Sequence, residues 1–199
     1  MAKLFYVGVV AALALGLVAP QGWASVPDVG YSTTWEGIPG SILFCPNGDG
    51  STLEIEIKDQ FNAPMGGVLV DVHLAIDCPD LACCVDLPTW LPDTTFTTDT
   101  AGKVPIVTFP CGRDQAADTA CCTIQTQIVC LGVTLFSGTY NLTTPDLSQS
   151  EPLYVSGTDY SIFALDWLKD RCRSDYNADG IVEGLDYSIF ALHWLHVCP

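Results

Sequence analysis

The chain has 199 residues, with 7 Lys and Arg against 23 Asp and Glu, and its formal net charge at pH 7 is −16. A charge of this sign repels nucleic acid and anionic lipid head groups, so neither is expected as a partner, whereas cations and cationic surfaces are favoured. After the first apolar segment, no stretch approaches the roughly 18 consecutive apolar residues of a membrane-spanning helix, so no membrane insertion is expected.

The N-terminal residues 1–24 have the features of a secretory signal peptide. Lys3 precedes the apolar stretch 4–19, which is too short and wrongly flanked for a stable membrane span. Gly22 and Ala24 supply small residues three and one positions before a cut, so cleavage is predicted after Ala24. We therefore expect a secreted, extracellular protein, either free or associated with the cell surface.

All 10 cysteines follow the predicted signal peptide. An even number of cysteines in an exported chain predicts disulfides rather than thiols. The alternative is a zinc or iron-sulfur site built from the adjacent pairs 83–84 and 121–122, but these pairs lack the usual two-residue spacer. The pairing of the eight cysteines from Cys45 to Cys130 stays open, because eight cysteines allow 105 pairings.

Residues 51–144 show an alternation of apolar and polar side chains that predicts β-strands. Leu53, Ile55 and Ile57 alternate with polar residues, and after a turn the pattern resumes over residues 68–74. Several short strands at this spacing predict a β-sandwich, so the fold class is mainly β. Further strands are predicted at residues 94–98, 104–109, 123–131 and 133–142.

Two segments resemble the bacterial immunoglobulin-like (Ig-like) domains of surface and secreted proteins. They are IKDQFNAPMGGVLVDVHL and TDTAGKVPIVTF, and Asn62 stands in the first where the family usually has Gly. The resemblance implies an Ig-like β-sandwich with disulfides over residues 25–144. It implies no function, because such sandwiches serve as spacers, adhesins and accessory modules alike. The matching positions are Asp59, Pro64, Gly67, Val70, Thr98, Asp99 and Gly102.

From Val155 onward the chain repeats itself. Residues 155–168 and 182–195, at an offset of 27, are identical at 11 of 14 positions. In each copy the large apolar residues recur with helical spacing, which predicts two equivalent helices that pack their aromatic faces together. These residues are Tyr160, Phe163, Ala164, Trp167 and Leu168 in the first copy, and Tyr187, Phe190, Ala191, Trp194 and Leu195 in the second.

The segment before the second helix has the spacing of a twelve-residue calcium loop. Calcium prefers six to eight oxygen ligands, and such a loop supplies them from positions 1, 3, 5, 7, 9 and 12, with a glycine at position 6. Residue 175 at position 1 places Gly180 at position 6, and Ile181 acts through its carbonyl and Glu183 through water. The predicted calcium ligands are therefore Asp175, Asn177, Asp179, Ile181, Glu183 and Asp186.

The first copy departs from this pattern. Counting back from Asp159 as position 12 places Ser148, Ser150 and Pro152 at positions 1, 3 and 5. A shifted register that begins at Asp146 needs a longer loop. One calcium ion is therefore predicted as the cofactor, not two.

Duplicated loop–helix units with Asp at position 12, at the C-terminus of an exported protein, resemble the dockerin domain. The resemblance rests on the loop residues above and on Val182, and it covers residues 145–199. It implies calcium-dependent attachment to a protein partner, either a cohesin-like domain or another surface or scaffold protein. The residues that it implies for partner binding are Gly184, Leu185, Ile189, Leu192, Thr158, Ile162 and Leu165.

Two features of the C-terminal segment have more than one interpretation. The apolar stripe of Ile162, Leu165, Ile189 and Leu192 either meets a partner or is buried within the protein. The second feature is the pair His193 and His196 at the end of the predicted helix. Their imidazoles either interact with the negative end of the helix dipole or form a metal-binding pair.

Cys172 and Cys198 are the only cysteines beyond Cys130 and bracket the second copy, so they are predicted to form a disulfide with each other.

The leading hypothesis is a noncatalytic protein, an Ig-like module that carries a calcium-dependent docking tag. The chain has no Gly-x-Ser-x-Gly and no His-Glu-x-x-His motif, and His73 is the sole histidine outside the terminal helix. The alternatives are a small carbohydrate-active enzyme, since dockerins are commonly attached to glycoside hydrolases, or a glycan-binding or surface-binding adhesin whose calcium unit is only structural. Trp35 and Trp90 are the candidates for stacking on a sugar.

Overall fold

The computed structural model describes residues 25–36, 40–84, 93–105, 107–113, 121–148 and 153–199, and the predicted signal peptide lies outside them. In these residues the protein is mainly β, with two helices near the C-terminus. The strands are β1 (Thr33–Glu36), β2 (Ser41–Leu43), β3 (Thr52–Glu56), β4 (Leu69–Asp77), β5 (Leu81–Cys83), β6 (Asp93–Thr97), β7 (Cys111–Arg113), β8 (Cys122–Cys130) and β9 (Val133–Thr143), and the helices are α1 (Gly157–Asp166) and α2 (Gly184–Leu192).

The largest sheet has five strands in the order β2-β9-β8-β4-β6. Strand β2 pairs with β9 in parallel, and the other neighbours are antiparallel. Two smaller sheets, β1-β3 and β5-β7, have two strands each. Apolar side chains from β3, β4 and β8 lie in one core, so the alternation that predicts these strands also decides which side of each strand is buried.

The strands predicted at residues 94–98, 123–131 and 133–142 correspond to β6, β8 and β9. In the strand predicted at residues 104–109, the described residues form isolated antiparallel bridging contacts with β3 instead of a regular strand, such as Val107 with Leu53. Pro105 interrupts this segment and Pro110 follows it, and a proline has no N–H group to donate to a neighbouring strand. The regular strand β7 begins only after Pro110.

The turn between β3 and β4 explains the asparagine that stands in place of glycine. Asn62 has a φ of 61°, in the left-handed region that Asn tolerates better than most residues. Asp59 organises the turn, because its Oδ1 accepts hydrogen bonds from the N–H groups of Phe61 and Ala63, each at 2.9 Å. These N–H groups lower the pKa of the Asp59 carboxyl, with that of Ala63 as the largest cause.

The helices belong to a second, smaller core. It contains Leu147, Val155, Phe163, Tyr176, Val182 and Phe190, together with Leu43 from strand β2. The two copies interlock reciprocally: the N–H of Leu168 after α1 donates to the carbonyl of Val182 in the second copy, and the N–H of Leu195 after α2 donates to that of Val155 in the first. No helix in the described part of the chain is both long enough and apolar enough to cross a bilayer.

Four disulfides join the described residues, and they show that the predicted Cys172–Cys198 bridge is wrong. Cys172 pairs with Cys121, and Cys198 pairs with Cys84. Each bridge therefore ties the C-terminal unit to the β part of the chain. The two remaining bridges are Cys78–Cys122 and Cys83–Cys111.

The adjacent cysteine pairs explain this connectivity. In extended chain, neighbouring side chains point in opposite directions. Of the pair 83–84, one cysteine bonds Cys111 in the partner strand and the other bonds Cys198, and the pair 121–122 divides in the same way. All four cysteines are in disulfides, so they do not form the alternative zinc or iron-sulfur site. Cys45 and Cys130 are free and buried.

Candidate calcium loop and helix surface

The residues at positions 1, 3 and 5 of the predicted calcium loop contact one another. The carboxylate of Asp175 accepts hydrogen bonds from the N–H groups of Asp179 at 3.1 Å and Gly180 at 2.8 Å. The side-chain amide of Asn177 donates to Asp179 Oδ2 at 2.8 Å. Gly180 has a φ of 94°, which an L residue rarely adopts and which the sharp turn at position 6 requires.

Asp186, at position 12, joins the loop to helix α2. Its side chain is fully buried, and Oδ1 accepts hydrogen bonds from the N–H groups of Tyr176 at 2.7 Å and Asn177 at 3.2 Å. Oδ2 accepts from the N–H of Glu183 at 2.8 Å, at the start of the helix. A carboxylate here also interacts favourably with the positive end of the helix dipole.

The electrostatics of the loop disfavour an uncompensated carboxylate at Asp175. Burial raises the pKa of Asp175, and the negative charges of Asp186 and Asp179 raise it further, while the N–H groups of Gly180 and Asp179 lower it. The loop acids are not gathered closely enough to form a preformed metal cluster. Among the described residues, they are not part of any group of three His, Cys, Asp or Glu side chains with ligand atoms within 4.8 Å of one another. The carboxylates instead face backbone N–H groups.

A buried ion pair lies at the start of the loop, and its two residues are not among the site residues predicted from the sequence. Arg173 Nε lies 2.6 Å and Nη2 lies 2.9 Å from the two carboxylate oxygens of Asp166, the last residue of α1. Ser174 Oγ donates to the same carboxylate at 2.8 Å. These contacts fix the residues just before the loop to the end of α1. The repeat contains no signal for this contact, because His193 replaces Asp166 in the second copy.

The first copy keeps part of the same arrangement in a different register. Asp159 Oδ1 accepts a hydrogen bond from the N–H of Leu147 at 2.7 Å, as Asp186 Oδ1 does from Tyr176. Leu147 is thus equivalent to Tyr176, and Asp146 is equivalent to Asp175. Counting back twelve from Asp159 therefore misaligns the copies, because the first loop is two residues longer.

Asp146 is a buried acid in an unfavourable environment. Its side chain is fully buried, and its carboxylate oxygens have no hydrogen-bond partner of good geometry among the described residues. Burial, followed by the neighbouring Asp159, raises the pKa of Asp146 to about 7. The carboxylate packs so closely on Gly112 that a Cβ at that position would overlap Oδ2. The predicted positions Ser150 and Pro152 lie outside the described residues.

The helices bury only some of the aromatic rings on their contacting faces. Phe163 and Phe190 are buried and stacked, with ring centroids 5.3 Å apart. Tyr160, Trp167, Tyr187 and Trp194 also contact rings of this cluster, and Tyr160 meets both Phe190 and Trp194 of the other copy, but these four residues stay 40–46% exposed. The two aromatic faces therefore pack together as the periodicity predicts, with Phe163 and Phe190 buried and the other rings partly open to solvent.

The exposed rings line two neighbouring concave surfaces, which we call the aromatic grooves. The first has a volume of about 340 Å³ and the second about 450 Å³, and both include Tyr160 and Tyr187. The first is completed by Phe163, Ala164 and Trp167, and the second by Phe190, Ala191 and Trp194. The duplication of the sequence therefore produces two related grooves side by side.

The residues predicted to bind a partner divide into two groups. Ile162 and Ile189 are half-buried against the second core, so these members of the stripe are covered internally. The other five are exposed, and the two leucines of the stripe are largely in solvent, Leu165 at 68% and Leu192 at 75% exposure. The exposed set is Thr158, Leu165, Gly184, Leu185 and Leu192.

No protein-family model, curated protein or solved structure matches this chain.

Proposed function

We propose that the chain is a noncatalytic secreted protein whose C-terminal unit, residues 145–199, is a calcium-dependent attachment module of the dockerin type. The observation that carries the proposal is the reciprocal packing of two equivalent loop–helix units, in which a buried aspartate opens each helix. Four disulfides are consistent with an oxidising, extracellular compartment.

Calcium is the ion that suits the second loop. Its donors are carboxylate, amide and backbone carbonyl oxygens, which hard cations such as calcium prefer over thiols or imidazoles. Asp175 and Asp186 would hold the ion through carboxylate oxygens that accept hydrogen bonds from backbone N–H groups in this structure. Because Asp186 also lies in the first turn of α2, a bound ion would link the loop to the start of that helix.

The aromatic grooves and the exposed leucines are the proposed partner surface. Leu165 and Leu192 leave large apolar areas in water, as do the rings of Trp167 and Trp194. Exposed apolar surface rich in Trp and Tyr, as in the aromatic grooves, is typical of protein interfaces, and the two leucines offer a separate apolar contact. The partner is a cohesin-like or other scaffold or surface protein with an apolar ridge that enters the grooves. The β part, residues 25–144, then serves as an Ig-like carrier domain.

A second candidate function is glycan or surface binding by the β part, with a purely structural calcium unit. The polar side of the main sheet carries a shallow depression of about 330 Å³. Its polar side chains, including Gln125, Gln127 and Thr139, are suited to hydrogen bonds with sugar hydroxyls. Of the sugar-stacking candidates, Trp90 and the side chain of Trp35 lie outside the described residues.

A capture experiment distinguishes the two functions. The oxidised protein is immobilised and exposed to the extracellular and envelope fractions of its host, in millimolar calcium and in chelator. The variants are Asp175→Ala and Asp186→Ala, with the exposed acid Asp170→Ala as the matched control. A protein retained in calcium by the wild type and Asp170→Ala, but lost with chelator and with both loop variants, supports docking. Calcium-independent retention of a glycan favours the second function.

A further inference from the structure

Three potential metal ligands meet outside the calcium loop. Cys45 Sγ lies 3.3 Å from His196 Nδ1, and His196 Nδ1 lies 3.4 Å from His193 Nδ1. One ligand atom from each side chain lies within 4.8 Å of the other two. Cys45 follows strand β2, whereas both histidines follow helix α2, so the cluster joins distant parts of the chain.

We infer that Cys45, His193 and His196 form a binding site for one late transition-metal ion, with Zn²⁺ as the ion that fits best. A thiolate with two imidazoles is a ligand set of borderline softness, which selects zinc or copper over calcium and magnesium. Cys45 is fully buried and is not in one of the four disulfides, so its sulfur is available as a metal ligand.

The spacing of the ligand atoms suits a tetrahedral ion. With Zn–S near 2.3 Å and Zn–N near 2.0 Å, a tetrahedron places sulfur and nitrogen about 3.6 Å apart and two nitrogens about 3.3 Å apart. The observed distances, 3.3 Å from sulfur to nitrogen and 3.4 Å between nitrogens, are close to these values. Two of the three ligand-to-ligand distances therefore already suit a tetrahedral ion, and the third pair, Cys45 with His193, lies within 4.8 Å.

The charge around the cluster also suits a divalent cation. The negative charge of Asp49 acts on both Cys45 and His193. A Cys45 thiolate and Asp49 together neutralise the two positive charges of Zn²⁺. The fourth coordination position is left for water or for a carboxylate.

A catalytic Cys–His pair is the competing interpretation of the same contact. Burial raises the pKa of the Cys45 thiol to about 12, which is the opposite of the lowered pKa that activates a nucleophilic cysteine. Metal binding instead displaces the thiol proton directly. The geometry thus favours an ion that fastens the end of α2 to the β part, beside the Cys84–Cys198 disulfide.

The test is a zinc titration of the oxidised, full-length chain against a chromophoric chelator, with calcium saturating throughout. Each of Cys45→Ser, His193→Gln and His196→Gln removes one ligand, and Cys130→Ser removes the other buried free thiol as the matched control. We expect one Zn²⁺ per chain, an affinity at least about tenfold weaker in each ligand variant, and no change in Cys130→Ser.

Cobalt substitution keeps the test decisive where Cys45→Ser folds poorly. A Co²⁺ complex of the wild type should show a thiolate charge-transfer band, and His196→Gln, a change near the chain end, should weaken cobalt binding. Absence of zinc uptake, uptake that is unchanged in His196→Gln, or a cobalt complex without the thiolate band would overturn the inference. A parallel Cu⁺ titration identifies the preferred ion, and tighter binding of Cu⁺ with the same three ligands would assign the site to copper.

Discussion

Asp159 and Asp186 occupy equivalent positions in the two copies of the repeat, and both side chains are fully buried. Each Oδ2 accepts a hydrogen bond from the N–H three residues earlier, at 2.7 Å from Ser156 and 2.8 Å from Glu183. Each Oδ1 accepts one from the preceding loop. The two copies therefore share the contact between loop and helix and differ in the residues upstream of it.

Replacing either aspartate should lower stability, but only one replacement should affect the predicted calcium ion. Asp159→Ala and Asp186→Ala each leave buried N–H groups without an acceptor, which costs on the order of 2–4 kcal/mol. Thermal unfolding in calcium and in chelator measures both effects. We expect calcium to raise the Tm of Asp159→Ala but not that of Asp186→Ala. Equal calcium stabilisation of the two variants would contradict the assignment of the loop.

Removing one partner of the Asp166–Arg173 ion pair should destabilise the fold more than replacing both partners with apolar residues. Arg173→Ala leaves a buried carboxylate without its countercharge, and breaking a buried pair in this way typically costs about 3–5 kcal/mol. Because Arg173 precedes the loop by two residues, calcium affinity should fall as well. Denaturant unfolding of Arg173→Met, Asp166→Leu and the double variant forms the test. A double variant less stable than either single variant would argue against this explanation.

Stability in chelator should depend on pH through Asp146. The folded-state pKa of about 7 lies above the unfolded value, so the folded protein binds this proton more tightly. Protonated Asp146 therefore adds to the free energy of unfolding at low pH, and this stabilisation is lost as pH rises through 7. The free energy of unfolding should fall by on the order of a few kcal/mol between pH 4 and 8. Asp146→Asn should flatten this dependence and stabilise the protein at pH 8. Unfolding curves that fall equally with pH in both proteins would rule out Asp146 as the cause.

The two disulfides that join the C-terminal unit to the β part should stabilise the fold more than a disulfide that closes a short loop. The Cys84–Cys198 bridge closes a sequence separation of 114 residues, for which loop-closure entropy predicts about 4–5 kcal/mol. Peptide mapping of the unreduced protein should recover Cys84 linked to Cys198 and Cys121 linked to Cys172. A peptide that joins Cys172 to Cys198 would contradict this connectivity.

The sequence predicts what depends on local periodicity. The alternation around Leu53 and Val70 identifies buried strands, and the repeat identifies two helices, because neighbouring residues alone determine these patterns. The partners of Cys172 and Cys198 depend instead on contacts between segments far apart in the chain. The same limit applies to the approach of Cys45 to His196, a separation of 151 residues.

The loop register shows a subtler limit. Counting positions back from Asp159 assumes that both loops have equal length, whereas the register that begins at Asp146 requires a longer first loop. The sequence offers both registers, and the hydrogen bond from the N–H of Leu147 to Asp159 selects the one that is two residues longer. The exposure of Trp167 and Trp194 could not be predicted from the sequence either, because periodicity identifies the face of a helix but not how much of each ring its neighbours cover.

Calorimetric titration of the oxidised chain with calcium tests whether the second loop binds the ion, with Asp175→Ala and the exposed-acid variant Asp170→Ala measured alongside. We expect one calcium ion per chain for the wild type and Asp170→Ala, and none for Asp175→Ala. No uptake at millimolar calcium, or equal uptake by Asp175→Ala, would contradict this expectation. Uptake of two ions, with the second lost in Asp146→Asn, would contradict the single site and assign the first loop a calcium ion of its own.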